Sequence, residues 1–125
     1  MKSIEWLAGL LEGEGCFSKQ RNTSNHCTTP LVEVVMVDLD IIEKAKSLFE
    51  DIGGRKIKIR KRYLHSGKIA YHCSVTGLPA VKIMLVVLPF MGARRSSCIH
   101  TVIAEWNPVQ YKEAVEYRRT LRGIF

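Results

Sequence analysis

Trp6-Leu-Ala-Gly-Leu-Leu-Glu-Gly-Glu-Gly-Cys-Phe17 is the stretch that decides the fold. Its first half reads as an apolar helix containing small residues at Ala8, Gly9 and Gly13, and its second half sets two carboxylates, Glu12 and Glu14, between glycines. Glycine inside a helix costs about 1 kcal/mol relative to alanine. A carboxylate in the last turn faces the negative end of the helix dipole and the unpaired carbonyls there. Acids placed where oxygens already crowd point to a cation. Gly9 and Gly13 stand four apart on one helix face, and without side chains they let a second backbone approach closely. These residues describe a helix that packs on another helix and delivers a carboxylate to a metal at its C-terminal end.

The surrounding composition is that of a folded, basic protein. A length of 125 residues accommodates one domain over 1–125 and is too short for two ordinary ones. With 46% apolar and 25% charged residues the chain reads as globular rather than disordered. Nineteen Lys and Arg against twelve Asp and Glu give +7, which favours a polyanionic partner, nucleic acid ahead of an acidic membrane surface. Glu5 and Glu12 interrupt the apolar N-terminal stretch, so it reads as neither a secretory segment nor a membrane span. Cys16, Cys27, Cys73 and Cys98 show no CxxC spacing, and the expectation is reduced intracellular thiols. The neighbouring pairs His26-Cys27 and His72-Cys73 do not make a zinc site, because adjacent strand residues point to opposite faces.

Outward from the opening stretch, Ser3 is an N-cap candidate for a helix over Ile4 to Glu12, with Gly13 and Gly15 at its end. Cys16 to Asn22 reads as a strand with Phe17 on one side and Cys16, Ser18, Gln20 and Asn22 on the other. After a turn region, Leu31 to Val37 is a β-branched strand whose only charge is Glu33. Asp40 and Glu43 form a capping box for a helix through Ile52, with an apolar stripe from Ile41 to Ile52 and Gly53-Gly54 as its stop.

Arg55-Lys-Ile-Lys-Ile-Arg-Lys-Arg-Tyr63 carries the clearest electrostatic signal. As a strand it puts Lys56, Lys58, Arg60 and Arg62 on one face and Ile57, Ile59 and Tyr63 on the other, with Lys61 the exception. A basic run is usually a solvated surface, but one phased with apolar residues this way fits nucleic-acid contact better. His65-Ser-Gly turns the chain into a partner strand, Ile69 to Thr76. A three-residue loop with Gly67 left-handed places His72 and Ser74 beside the basic row, whereas a two-residue loop reverses the faces, so the register stays open.

Gly77-Leu-Pro79 opens a third helix that is almost wholly apolar from Val81 to Leu88. Pro89 to Ser97, with Arg94 and Arg95, reads as a break, followed by a serine-capped helix over Cys98 to Trp106 and an amphipathic helix from about Val109 to Leu121. Two hairpins and these helices make an α+β fold: a four-stranded antiparallel sheet with helices on one face. The other face carries Ser18, Gln20, Asn22 and the basic row. A strand of about eight residues spans roughly 26 Å, comparable to about eight base pairs, and a twisted sheet can follow a groove.

Leu7-Ala-Gly-Leu-Leu-Glu-Gly-Glu-Gly15 resembles the signature of the LAGLIDADG homing endonucleases, with glutamates at the two acidic positions and Gly13 in place of alanine. The αββαββα order with trailing helices is also similar over nearly the whole chain. The resemblance implies a LAGLIDADG fold with a DNA-binding saddle. It implies a divalent ion, Mg²⁺ with Mn²⁺ or Ca²⁺ as alternatives, bound by Glu14 and the Gly13 carbonyl, while Glu12 matches a structural position. Asp38 resembles a polar residue that orders metal-bound water. Arg94 resembles a basic residue of the active-site periphery, with Arg95 taking that place if the register slips by one.

One motif per chain implies a homodimer whose seam includes Leu7, Ala8, Gly9, Leu11, Glu12 and Gly13, with the two Glu14 side chains near the two-fold axis. The implied partner is a long pseudo-palindromic double-stranded DNA, cut to leave 3′ overhangs, with no small-molecule substrate and no membrane. Its contacts would come from Ser18, Gln20, Asn22, Glu33, Lys56, Lys58, Arg60, Arg62, His72, Ser74 and Arg95. Gln20 suits adenine, and Arg60 or Lys58 suits guanine. A non-cleaving relative, an intron maturase or regulator, is the alternative.

Overall fold

A computed structural model of the chain describes residues 2–21 and 28–106. The expected helix over 109–121 and the positions of Asn22, His26 and Cys27 lie outside the described residues. Helix α1, Lys2–Glu14, runs directly into strand β1, Gly15–Arg21. Strand β2 is Thr28–Met36, helix α2 is Leu39–Gly53, and strands β3 and β4 are Arg60–Tyr63 and Ile69–Thr76. Helix α3, Leu78–Val87, passes through a 3-10 turn at Leu88–Phe90 into helix α4, Ala93–Ala104.

The four strands form one antiparallel sheet in the order β1-β2-β4-β3, the expected α+β architecture. Its helix-side row contains Phe17, Val32, Val34, Cys73 and Val75, all buried. Ile4, Leu7, Ala8 and Leu11 of α1 meet that row at a spacing of three and four, one helical stripe. The centre of the core is α3, in which every residue except Leu78 and Lys82 is buried. A helix apolar all round requires neighbours on all sides, and α3 has α1, α2, β2 and β4.

The hairpin register is settled by Gly67, whose φ of +83° closes a three-residue loop, with Leu64 N–H on the Lys68 carbonyl at 2.9 Å. Arg60 therefore pairs with His72 and Arg62 with Ala70.

Several expectations need correction. Helix α1 already includes Lys2 and runs to Glu14, so Ser3 lies within it rather than capping it and Gly13 sits in its last turn instead of ending it. The basic run enters the sheet only at Arg60, because the Glu50 carboxylate accepts the Ile57 N–H at 2.9 Å and draws the preceding residues toward α2. Ile57 and Ile59 still turn to the core, but Tyr63 is 73% exposed, beyond the reach of the helices behind the sheet. Helix α2 is capped at Asp38 rather than Asp40, so the capping box does not form and Asp40 lies in the first turn. Helix α4 begins after Gly92, not at the serines, so Arg94 and Arg95 are helical.

Candidate functional site

The α1–β1 junction is built by a close approach. A Cβ on Gly15 would lie 2.7 Å from the Leu11 side chain and 2.8 Å from its Cα and carbonyl oxygen, so only glycine lets the helix turn straight into the strand. Glu14 is therefore the last helical residue, exposed, and no charged or hydrogen-bonding group among the described residues pairs with it. Gly13 stands in the last turn, where carbonyls lack intrahelical partners.

No cluster of three or more His, Cys, Asp or Glu forms among the described residues. One carboxylate and one carbonyl nevertheless suit Mg²⁺, which takes one or two carboxylates and completes its shell with water and substrate phosphate oxygens. The donor set fits a hard cation shared with a phosphate or with a second copy of the chain.

Across the ladder Gly15 faces Val34, and Asp38 follows two residues after the end of β2 at Met36, as the chain leaves the sheet for α2. As the α2 cap residue Asp38 is exposed and its side chain makes no capping bond, so the carboxylate is available at the same sheet end as Glu14.

Helix α4 closes the outer edge of β1. Arg95 donates to the Gly15 carbonyl, and the Cys98 thiol donates to the Phe17 carbonyl at 2.9 Å, two residues further along the strand. Lys19 pairs with Glu105 at the far end of the same edge. An edge strand so covered cannot recruit another strand. Arg95 is half-buried, and its Nε is buried without a hydrogen-bond partner among the described residues; Arg94 is exposed. Both arginines occupy a first helical turn, where cations are unfavourable. The Glu12 carboxylate offsets this by accepting the Gly92 N–H at 3.3 Å, at the positive end of α4. Glu12 thus has a structural contact inside the chain.

The expected seam residues divide. Leu7, Ala8 and Leu11 are buried in the chain's own core, whereas Gly9, Glu12 and Gly13 are exposed. A Cβ on Gly9 or Gly13 would meet nothing within 4 Å among the described residues, which leave room for a partner backbone on this face of α1.

The open sheet face follows from the register. Cys16, Glu33 and Ser74 form one cross-strand row, Ser18, Leu31 and Thr76 a second, and Val35, His72 and Arg60 a third. Gln20 is exposed opposite Thr29, and Arg62 continues the row of Arg60. Lys56 and Lys58 are exposed alongside, outside the ladder. His72 Nε2 and Glu33 Oε2 lie 2.8 Å apart, bridging neighbouring rows diagonally. Sequence reasoning missed Glu50 as the residue that sets where the basic run joins the sheet; a surface acid in a last helical turn carries no signal of that role. By contrast, Cys73, beside the open face in sequence, points into the core, where burial pushes its thiol up to about 12.

No curated protein sequence matches the chain. Among solved structures, the homing endonuclease I-CvuI in complex with its target in the presence of Ca superposes with a TM-score of 0.56 at 17% identity, covering 99% of this chain and 82% of that one. The I-CvuI complex with the I-CreI target in the presence of Mg, in which the DNA is not cleaved, gives 0.52 at 16% identity, with the same coverage of 99% and 82%. These likenesses are in fold. The LAGLIDADG-like domain family matches residues 2–85, from the start of α1 through the motif, the whole sheet and most of α3. The chain belongs to the LAGLIDADG-like domain family.

Proposed function

We propose that the chain is a homing endonuclease that makes a metal-dependent double-strand break in a long, pseudo-palindromic DNA as a homodimer. The observation that carries this reading is Glu14: an exposed carboxylate, without a partner among the described residues, ending the motif helix at one end of a sheet whose open face is basic. A lone carboxylate beside unpaired carbonyls is costly without a cation, and a basic face without an anion is equally unmatched.

Glu14 and the Gly13 carbonyl would hold a divalent ion, Mg²⁺ in the first instance. Such an ion supplies Lewis acidity, lowering the pKa of a bound water and stabilising charge at phosphorus and the leaving oxygen. Asp38 would orient water by accepting its proton in a hydrogen bond. Arg94, exposed at the start of α4, would stabilise the scissile phosphate, and Arg95 would act from behind by fixing the carbonyl of Gly15. Ser18, Gln20, Glu33, Arg60, Arg62, His72 and Ser74 would meet DNA on the open face, with Lys56 and Lys58 contacting phosphates at its margin.

Each chain offers one such carboxylate for one strand. Two chains apposed through Gly9, Glu12 and Gly13 would cut both, across the minor groove, leaving 3′ overhangs. Two sheets of the estimated reach would cover on the order of 20 base pairs.

The purified protein should be incubated with a duplex library, with and without Mg²⁺, and the cut ends sequenced. Breaks at a single pseudo-palindromic site, dependent on metal and abolished by Glu14→Gln with binding retained, are the expected result. Site-specific binding with no cutting under any divalent ion would instead identify a non-cleaving DNA-binding relative.

A further inference from the structure

The open sheet face contains one carboxylate, Glu33, among the described residues of its central strands, and that carboxylate is held. His72 Nε2 lies 2.8 Å from Glu33 Oε2, and the two are offset by one cross-strand row, since Glu33 pairs with Ser74 and Val35 with His72. The Glu33 side chain retains 29% exposure against 14% for His72, so the acid is the more accessible of the pair. Its second oxygen, Oε1, has no partner among the described residues.

An acid in this position is repelled by every phosphate, so its use on DNA depends on a donor at a base edge. The major groove admits a β-ribbon and offers only two such donors, the cytosine N4 amino group and the adenine N6 amino group. Adenine sets its N7 acceptor beside N6, against the carboxylate, whereas cytosine has no acceptor there. The neighbouring Arg60, cross-strand partner of His72, suits the O6 and N7 of the guanine paired with that cytosine or of the next base pair.

Resting on the DNA-endonuclease reading above, we propose that Glu33, oriented by His72, is a specificity-determining residue that reads a cytosine in each half-site. His72 occupies one carboxylate oxygen and fixes the side chain's rotamer, so the free oxygen is presented at one depth in the groove rather than swinging among its neighbours. Glutamine at position 33 keeps the size but exchanges an acceptor for a donor, which suits the N7 and N6 of adenine.

The test selects duplexes from a randomised library with the Glu14→Gln chain, which binds without cutting, and with the same chain carrying Glu33→Gln or His72→Phe. The parent is expected to enrich cytosine at one position of each half-site by on the order of 10- to 100-fold over other bases. Glu33→Gln is expected to move that position alone to adenine, and His72→Phe to weaken the cytosine preference there alone. Unchanged base preferences in both variants, at every position, overturn this assignment and leave the DNA reading standing. If the parent enriches no sequence, the DNA reading falls and this assignment with it. Should Glu33→Gln lose all binding, the His72→Phe profile decides: a cytosine preference undiminished there also overturns the assignment.

Discussion

Arg95 of α4 donates a hydrogen bond to the carbonyl of Gly15, the residue immediately after Glu14, from 80 positions further along the chain. The backbone that follows the candidate metal ligand is thereby fixed by a side chain from the opposite end of the described fold. The arrangement has an internal cost, because Arg95 Nε is buried without a partner among the described residues. Hydrogen bonds to charged groups contribute about 1.5–3 kcal/mol, and the arginine stem adds apolar packing that alanine also removes. Arg95→Ala is therefore expected to lower stability by about 2 kcal/mol, read by urea unfolding. Arg95→Met keeps most of the stem's packing and should be the less destabilised of the two, yet lower kcat with KM unchanged, because the chain folds but Glu14 is less firmly placed. Unaltered kcat in a folded Arg95→Met would show that Arg95 serves the edge of β1 alone.

Gly9 offers a way to separate folding from association. A Cβ there meets nothing within 4 Å among the described residues, and alanine is the better helix former by about 1 kcal/mol. Gly9→Ala should thus leave the protomer as stable or stabilise it, while Gly9→Leu should fold normally and fail to dimerise. Sedimentation velocity across a concentration series reads the difference. A Gly9→Leu variant with the association constant of the wild type would place the seam elsewhere.

Glu50 governs the basic run, and its effect is pH dependent. The Ile57 N–H at 2.9 Å, and then Lys46 at 3.2 Å, hold its carboxyl below the ordinary value of 4.5. A folded-state pKa lower than the unfolded one means that the stabilisation is fully present above the unfolded pKa and disappears as pH falls through the folded value. From roughly pH 5 downward the wild type should lose melting temperature faster than Glu50→Gln, and near neutral pH the variant should be the less stable of the two. Hydrogen exchange at the Ile57 amide should be faster in Glu50→Gln. Parallel pH profiles for the two proteins would show that this contact does not anchor the run.

These residues also show where sequence is informative. The existence of the motif helix, though not its extension through Gly13 to Glu14, and the alternation of the basic run are local patterns, set by residues within two turns or a few strand positions of one another. They were legible without a structure. The hairpin register depended on the conformation of Gly67, which the sequence permits but does not dictate. The starts of β3 and α4 were not legible: Glu50 captures the Ile57 N–H seven residues on, across the end of α2 where helical periodicity has stopped, and Glu12 reaches Gly92 over 80 residues. Division of the motif into core and exposed halves was equally hidden. Ala8 and Gly9 look alike as small residues, and only the packing of α1 on the sheet buries the first and leaves the second open.

The central claim is that two copies of this chain each contribute one Glu14 to the cutting of one DNA strand. It is tested most directly by mixing wild-type and Glu14→Gln protomers on the selected target in Mg²⁺ and resolving the products on native and denaturing gels. Double-strand breaks from the wild type, no cutting from Glu14→Gln, and single-strand nicks that peak near equal mixing are the expected products. Double-strand cutting by pure Glu14→Gln, or a mixture that yields only full breaks in proportion to the wild type, would contradict it.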